Sequence, residues 1–436
     1  MARPHRRPLR RRGVATSART TSSSSADLSR RLREVRDQAG QDEQLSALMQ
    51  NLRGQNLDQR DFAADDVEMR LVEVGDDQTA GVDPEDALPL AYDPERIARY
   101  WGVRPVSVVT RLAQLASLSS GLVGGLLRDY VTDAIEDAFS SGDAKATGAS
   151  DKPSIARGGD GRVVDRDQER AVRRAAQLRQ VLTSLGPAYI KLGQALSIRP
   201  DLLSPAAMTE LQKLCDKVPS FDSGVAFESM KRELNIADVY DVFSEISPEP
   251  VAAASLGQVY VAKLRGSGDK VAVKVQRPFV LETVTIDLFI VRSLGKWLGG
   301  AMPQVSKRVD IVALLDEWAS RFFEELDYRK EEEHTTRFAQ SMAEDLPQVV
   351  VPRTYPELTS RRVLVTEWIE GEKLAQSTAD DVGDLVNLGV ICYLKQLLDT
   401  GFFHADPHPG NMIRTPEGRL AVLDFGLMTE VEDDIK

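Results

Sequence analysis

Lys274, Asp406, Asn411 and Asp424 are the residues whose types and order could do chemistry. Lys274 stands in the alternating stretch "KVAVKVQ", where Val271, Val273 and Val275 share one face of a strand and the lysine points to the other. Asp406 and Asn411 lie five residues apart in "FFHADPHPGNMI", which holds two of the chain's four histidines. Asp424 follows the apolar run "LAVL" and opens "DFG". Phosphoryl transfer needs a cation on nucleotide phosphates, oxygen ligands for magnesium and a group that orients the nucleophile. In that reading Lys274 meets the phosphates, an acid on a later helix holds the lysine, Asn411 and Asp424 hold metal, and Asp406 orients the acceptor or water.

Each fragment alone has an ordinary explanation. A lone "DFG" or "VAVK" arises by chance, and an Asp–Asn pair in a loop is usually a turn device that accepts backbone N–H groups. Their order separates the readings: lysine on a strand, acid on a helix, a hinge-like "TEWIEG", HxDxxxxN and then DFG follow the protein-kinase sequence. His404 and His408 could be metal ligands instead. No third ligand is spaced for zinc, and the adjacent prolines oppose a helix that would present them together.

Two strands, "VYVAKL" and "KVAVKVQ", flank the turn "RGSGD" as a hairpin. The spacing predicts one long helix from Asp310 to about Ala343, with Ile311, Leu314, Leu315, Trp318, Phe322 and Leu326 on its apolar stripe. Before the hairpin the pattern is helical, with Pro105 separating two helices and Ser204 and Pro205 starting another. Strands that follow a helical preface and alternate with helices indicate an α+β fold.

Composition narrows the class. A net charge of −12 opposes a nucleic-acid binder, which needs a basic surface. Only Cys215 and Cys392 occur, far apart, so neither a disulfide framework nor a zinc site is indicated. No uninterrupted apolar run reaches the roughly 18 residues of a membrane span, and "GLVGGLL" is short, which leaves surface association open. The start is rich in arginine and hydroxyl residues, with no acid before Asp27, and reads as an organellar transit peptide or, on composition alone, a basic tail for an acidic surface.

At the motif residues the chain resembles the UbiB-like atypical kinases, the AarF-domain family associated with prenylquinones. "KLGQALSIRPDLL" resembles that family's KxGQ signature, with Lys191 and Gln194 at the marked positions. "PVAAASLGQVY" resembles its alanine-rich loop, and "EELDY" its ExD motif, Glu325 and Asp327, with Glu331 matching the C-helix glutamate. The resemblance implies an atypical protein-kinase-like fold that binds ATP (or ADP) and magnesium. Ala252, Ala253, Ala254, Ser255, Lys274 and the hinge residue Glu367 would contact nucleotide, and Asp406, Lys274 and Glu331 would be catalytic. Lys191, Gln194, Glu325 and Asp327 would regulate access, the KxGQ segment packing where other kinases admit a peptide. Alanine methyl groups restrict φ and keep backbone away from phosphate, so nucleotide should sit differently under this loop than under a glycine-rich one.

Two departures stand out. Ala405 replaces the arginine of the usual HRD, which argues against control by a phosphorylated activation loop. His334 occupies a position where relatives often have asparagine, one turn beyond Glu331. "YDPERIARYWGVRPVSVVTRL" resembles the preface of plastid and cyanobacterial members, which points to the chloroplast, at plastoglobule or thylakoid surfaces, with the mitochondrion as second choice.

The implied organisation is a transit peptide at 1–30, a disordered acidic linker at 31–88 and a helical extension at 89–248 with a flexible loop at 140–165. A kinase-like N-lobe at 249–370 and the start of a C-lobe at 371–436 follow. The sequence stops twelve residues after Asp424, so the C-lobe is expected to be truncated after DFG. The leading expectation is an atypical kinase or ATPase acting in or regulating chloroplast plastoquinone and tocopherol metabolism. Its expected partners are nucleotide, a prenylquinone or lipid precursor, and a peripheral membrane or plastoglobule surface. The alternative is a catalytically weak or inactive nucleotide-responsive lipid-binding scaffold. Small-molecule kinases of the aminoglycoside type share "HxDxHPGN", but the KxGQ and ExD segments oppose that assignment.

Overall fold

Asp93 starts the first helix among the described residues because its carboxylate accepts the N–H groups of Glu95 and Arg96 at 3.0 Å and Pro94 is preset for the first turn. The computed structural model describes residues 69–72, 87–143, 155–157, 163–197, 203–215, 218–301, 311–405 and 409–431, all within the unit Gln50–Lys436. The expected transit peptide lies outside the described residues. Of the expected linker, 69–72 are described and bonded: Arg70 N–H donates to Ser184 O at 3.1 Å and Val72 N–H to Thr283 Oγ1 at 2.9 Å. That short piece is held on the folded body, contrary to a linker disordered throughout.

Helix α1 (Pro94–Gly102) buries Ile97, Tyr100 and Trp101, and the Trp101 indole donates to Thr285 Oγ1 at 3.1 Å. Pro105 opens α2 (Pro105–Asp143), so the expected break between two helices falls as read. Its span Pro105–Thr132 revises the membrane expectation. By length and composition alone it is apolar enough to cross a bilayer, with a mean hydropathy of 1.3, and only 6% of it is buried. No uninterrupted apolar run marks it because serines, glycines, an inward-turned Arg111 and the exposed Arg128 interrupt the string.

Within the expected loop 140–165, β1 (Ile155–Arg157) pairs antiparallel with β2 (Val163–Asp165). Helices α3 (Arg166–Leu185) and α4 (Pro187–Leu196) then meet at Gly186, whose φ of 112° suits only glycine. With α5 (Pro205–Gln212), capped by Ser204, they enclose Leu182, Ile190, Leu211 and Leu214.

Helix α6 (Ser223–Leu234), capped by Asp222, lies on a twisted antiparallel sheet. Its strands are β3 (Phe243–Ile246), β4 (Ala252–Ala253), β5 (Gly257–Leu264), β6 (Lys270–Gln276) and β8 (Val363–Glu367), in the order β3-β5-β6-β8, with β4 paired to β5. The sheet thus begins at Phe243, before the expected boundary at 249. Val271, Val273 and Val275 are fully buried with Tyr260 and Val363 against Ala226 and Met230 of α6. The opposite face, Val259, Val261, Ala272, Lys274 and Thr366, is half-buried.

After α7 (Val280–Ala301) the expected single long helix is two, α8 (Ile311–Glu325) and α9 (Tyr328–Met342). Asp327 causes the break. Its carboxylate accepts Arg329 N–H at 3.2 Å and restarts the helix, while Tyr328 N–H donates to Arg361 O instead of to an intrahelical carbonyl. Apolar side chains of α1, α4, α7 and α8 form the core that joins the extension to the kinase-like body.

The larger-lobe portion contains α10 (Val382–Lys395), continued by a π-helical turn, Gln396–Thr400. A small sheet runs β7 (Val349–Val350), β12 (Leu420–Val422), β11 (Met412–Arg414) and β9 (Glu372–Lys373) in spatial order, and β10 (Phe402–His404) pairs with β13 (Met428–Glu430).

Candidate active site

Lys274 is fixed by its neighbours in register. On β6 it stands opposite Val259 and Leu364, and its ammonium reaches off the half-buried face to both carboxylate oxygens of Glu331 at 2.8 Å. Glu331 lies three residues into α9 beyond Tyr328, so both share one helix face. The Tyr328 ring accordingly sits under the ammonium, 5.0 Å from its centroid. Asp424 approaches from the C-lobe, with Oδ2 3.9 Å from Lys274 Nζ and Oδ1 accepting Gly426 N–H at 2.9 Å.

Burial opposes every charge here, and the neighbours decide which survive. The Lys274 ammonium is held well above its ordinary range because Asp424 and Glu331 outweigh its burial. Burial likewise works to raise the Asp424 carboxyl, yet Lys274 and the Gly426 N–H keep it far below the usual carboxylate range. Glu331 is the exception: burial pushes it up to about 7 against the pull of Lys274.

Asn411 is placed opposite Leu423, the residue before Asp424, by pairing of β11 with β12: Met412 faces Val422, and Leu423 N–H donates to Asn411 O at 3.0 Å. An amide and a carboxylate suit magnesium, which takes one or two protein oxygens and leaves its other positions to phosphate and water. Asp406 and His408 lie outside the described residues. His404 is buried, its backbone N–H donating to Gln396 Oε1 at 2.9 Å and its ring Nε2 meeting Asp424 O at 2.9 Å.

The access residues divide. Lys191, on α4, pairs with Glu325 at 2.6 Å, and its charge also acts on Asp424, so this part of the KxGQ segment reaches the cleft. Gln194 does not reach those carboxylates in any described contact; its amide donates to Leu214 O at 3.0 Å and stitches the extension together. Asp327 is the α9 cap and pairs with Arg329 at 2.6 Å. The i,i+4 spacing to Glu331 identified the helix but concealed that Asp327 begins it.

In the alanine-rich segment, Ala252 and Ala253 pair with Val259 and Gln258, and Ala254 N–H donates to Gly257 O at 2.7 Å to close a tight turn. Ala252 and Ala254 are exposed, whereas Ser255 is buried and does not face outward with them. Gly257 admits no side chain: a Cβ there would lie 2.4 Å from Val275 O and 2.5 Å from Tyr328 Oη. Gly257→Ala should cost about 1–3 kcal/mol through overpacking. Thermal unfolding will show this as a lowered midpoint, and an unchanged midpoint would contradict the packing.

Glu367 is placed differently from the expectation. Its side chain is exposed and accepts Arg353 N–H at 3.2 Å, while its own N–H donates to Arg353 O at 2.7 Å. Period-2 alternation turns Thr366 onto the Lys274 face and Glu367 away from it. Ala272 shares the Lys274 face as the alternation of β6 predicts, and its partner Thr366 and the ring of Tyr328 join it without any motif signal of their own.

A strand-borne lysine held by a helix glutamate, facing a carboxylate on the second lobe, defines a protein-kinase-like fold and cleft. The chain belongs to the ABC1 atypical kinase-like family, whose domain profile matches residues 213–436, just over half of it. The Arabidopsis thaliana protein Activity of BC1 Complex Kinase 3, chloroplastic, is 46% identical over 269 residues, 61% of this chain and 37% of that protein. A Synechocystis protein, sll0005, is 49% identical over 264 residues, 59% of this chain and 38% of that protein. The chain therefore spans well under half the length of these relatives. A Mycobacterium tuberculosis protein solved in complex with erythromycin is 30% identical, covering 61% of this chain and 66% of that one, at a TM-score of 0.43.

Proposed function

We propose that this chain is an ATP-binding, magnesium-dependent atypical kinase or ATPase that acts in or regulates chloroplast prenylquinone metabolism, plastoquinone and tocopherol included. The observation that carries the reading is the convergence of Lys274, Glu331 and Asp424 from three elements on one cleft. Lys274 binds the α/β phosphates, Glu331 keeps its ammonium pointed into the cleft, and Asp406 orients the acceptor or water. Asn411 and Asp424 would hold magnesium, which supplies neutralisation of charge on the phosphate oxygens. Ala252 and Ala254 cover the nucleotide, and the Lys191–Glu325 pair limits what enters beside it.

The chloroplast assignment is supported by the chloroplastic names of the Arabidopsis relatives and by the arginine- and serine-rich start. A peripheral membrane or plastoglobule surface is supported by the outward face of α2, where Val106, Val109, Val123, Leu127 and Tyr130 are exposed. Calorimetric titration of the purified chain with ATP, with and without magnesium, tests the core of the reading. Magnesium-dependent binding should weaken by tenfold or more, about 1.4 kcal/mol, in Asp424→Asn; binding that ignores magnesium and this substitution would refute it. Phosphate release measured with and without liposomes carrying prenylquinone precursors separates an enzyme from a scaffold that binds nucleotide without turnover. The Lys191–Glu325 bond beside the cleft favours the scaffold as the competing reading.

A further inference from the structure

The segment Asp424–Phe425–Gly426 presents two successive backbone carbonyls, and each meets an imidazole. His404 Nε2 lies 2.9 Å from Asp424 O, and His334 Nδ1 lies 3.2 Å from Phe425 O. A carbonyl only accepts, so both ring nitrogens must carry protons: His404 Nε2–H and His334 Nδ1–H. The two histidines come from different places. His404 ends β10, whereas His334 is on α9, one turn beyond Glu331. Helix α9 therefore reaches the cleft twice, through Glu331 to Lys274 and through His334 to the backbone adjoining Asp424.

The surroundings leave this arrangement little slack. Phe425 is fully buried, its ring 4.8 Å from that of Phe338 on the same helix, and the His334 ring stands edge-on to Phe402 at 5.7 Å. Asp424 has one carboxylate oxygen tied to Gly426 N–H, so the direction of the other depends on how the 424–426 backbone is turned. Without a donor at position 334, Phe425 O would be left unpaired in an apolar enclosure, at a cost that rotation of this peptide would relieve.

We infer that His334 is a positioning residue for the metal-binding carboxylate: its Nδ1–H holds the Phe425 carbonyl and thereby fixes the direction in which Asp424 presents its second oxygen, Oδ2, to the cleft beside Lys274. This rests on the proposed magnesium–nucleotide reading for its functional consequence, though not for its geometry. An asparagine at 334 could donate from its amide to the same carbonyl, whereas leucine could not.

Two measurements on the purified chain test the inference. The first is nitrogen-15 NMR of the imidazoles, favourable because the chain has only four histidines, with His334 assigned from the signal lost in His334→Asn. The neutral His334 ring should be the Nδ1–H tautomer and His404 the Nε2–H tautomer; a His334 ring protonated on Nε2 would overturn the assignment. The second is the magnesium concentration that half-saturates nucleotide binding. It should rise about tenfold in His334→Leu, with metal-free nucleotide binding unchanged, and return to within about threefold of wild type in His334→Asn. Equal magnesium responses in the leucine and asparagine variants would overturn the positioning role, and any general loss of folding would show in metal-free binding as well. If the wild type shows no magnesium-dependent binding at all, the proposed function fails, while the tautomer measurement still decides the hydrogen bond.

Discussion

Lys274→Ala is expected to remove nucleotide binding almost entirely and to destabilise the fold. The ammonium compensates two carboxylates, Glu331 and Asp424, and the Glu331 side chain is only 6% exposed. Truncating one partner of such a pair leaves the other charge uncompensated, which costs about 3–5 kcal/mol. Glu331, already raised toward 7 by burial, would then hold its proton to still higher pH. Denaturant unfolding separates the two effects. Lys274→Met combined with Glu331→Gln should recover much of the stability while nucleotide binding stays lost, because the first quantity depends on compensated charge and the second on a cation at the phosphates. Recovery of binding in the double variant would mean that Lys274 does not contact nucleotide.

Arg111→Met is the second large effect, far from the cleft. The buried Arg111 guanidinium makes paired 2.8 Å bonds to Asp287 and also donates to Leu185 O and Arg70 O, so four separate chain segments meet at one side chain. The variant should lose about 3–5 kcal/mol, whereas Arg111→Met with Asp287→Leu should regain most of it. The pair also gives a pH dependence of known sign. Burial pushes the Asp287 carboxyl up to about 6 despite Arg111, while in the unfolded chain it titrates near about 3.9. The folded form takes up the proton first, so this group's contribution to stability is full below the unfolded value and is lost as pH rises through about 6. Asp287→Asn should remove that slope, and an unaltered slope between pH 4 and 7 would assign it elsewhere.

The sequence made the cleft more legible than its surroundings, for reasons visible in individual residues. Lys274 could be oriented because valines on both sides alternate strictly, and a strand has only two faces. Glu367 was misplaced by one step of that same alternation, since a hinge match names a segment without saying which side chain turns inward. The two helices α8 and α9 were read as one because apolar periodicity runs through Leu326, and only the capping carboxylate of Asp327 interrupts it. Gln194 illustrates a different limit: its partner, Leu214 O, is a backbone atom twenty residues away, and no side-chain pattern announces such a bond.

The start of α9 bears on how this cleft could be switched. Tyr328 N–H is bonded to Arg361 O, Asp327 caps the first turn, and the Tyr328 ring underlies Lys274. A mechanism that idles the protein by swinging this helix outward would have to break a backbone bond to the segment leading into β8, uncap the helix and expose a buried tyrosine together. Modulation through the Lys191–Glu325 contact severs a single ion pair and disturbs none of these. The helix thus behaves as a fixed post, and the contact beside it that can yield alone is the Lys191–Glu325 ion pair.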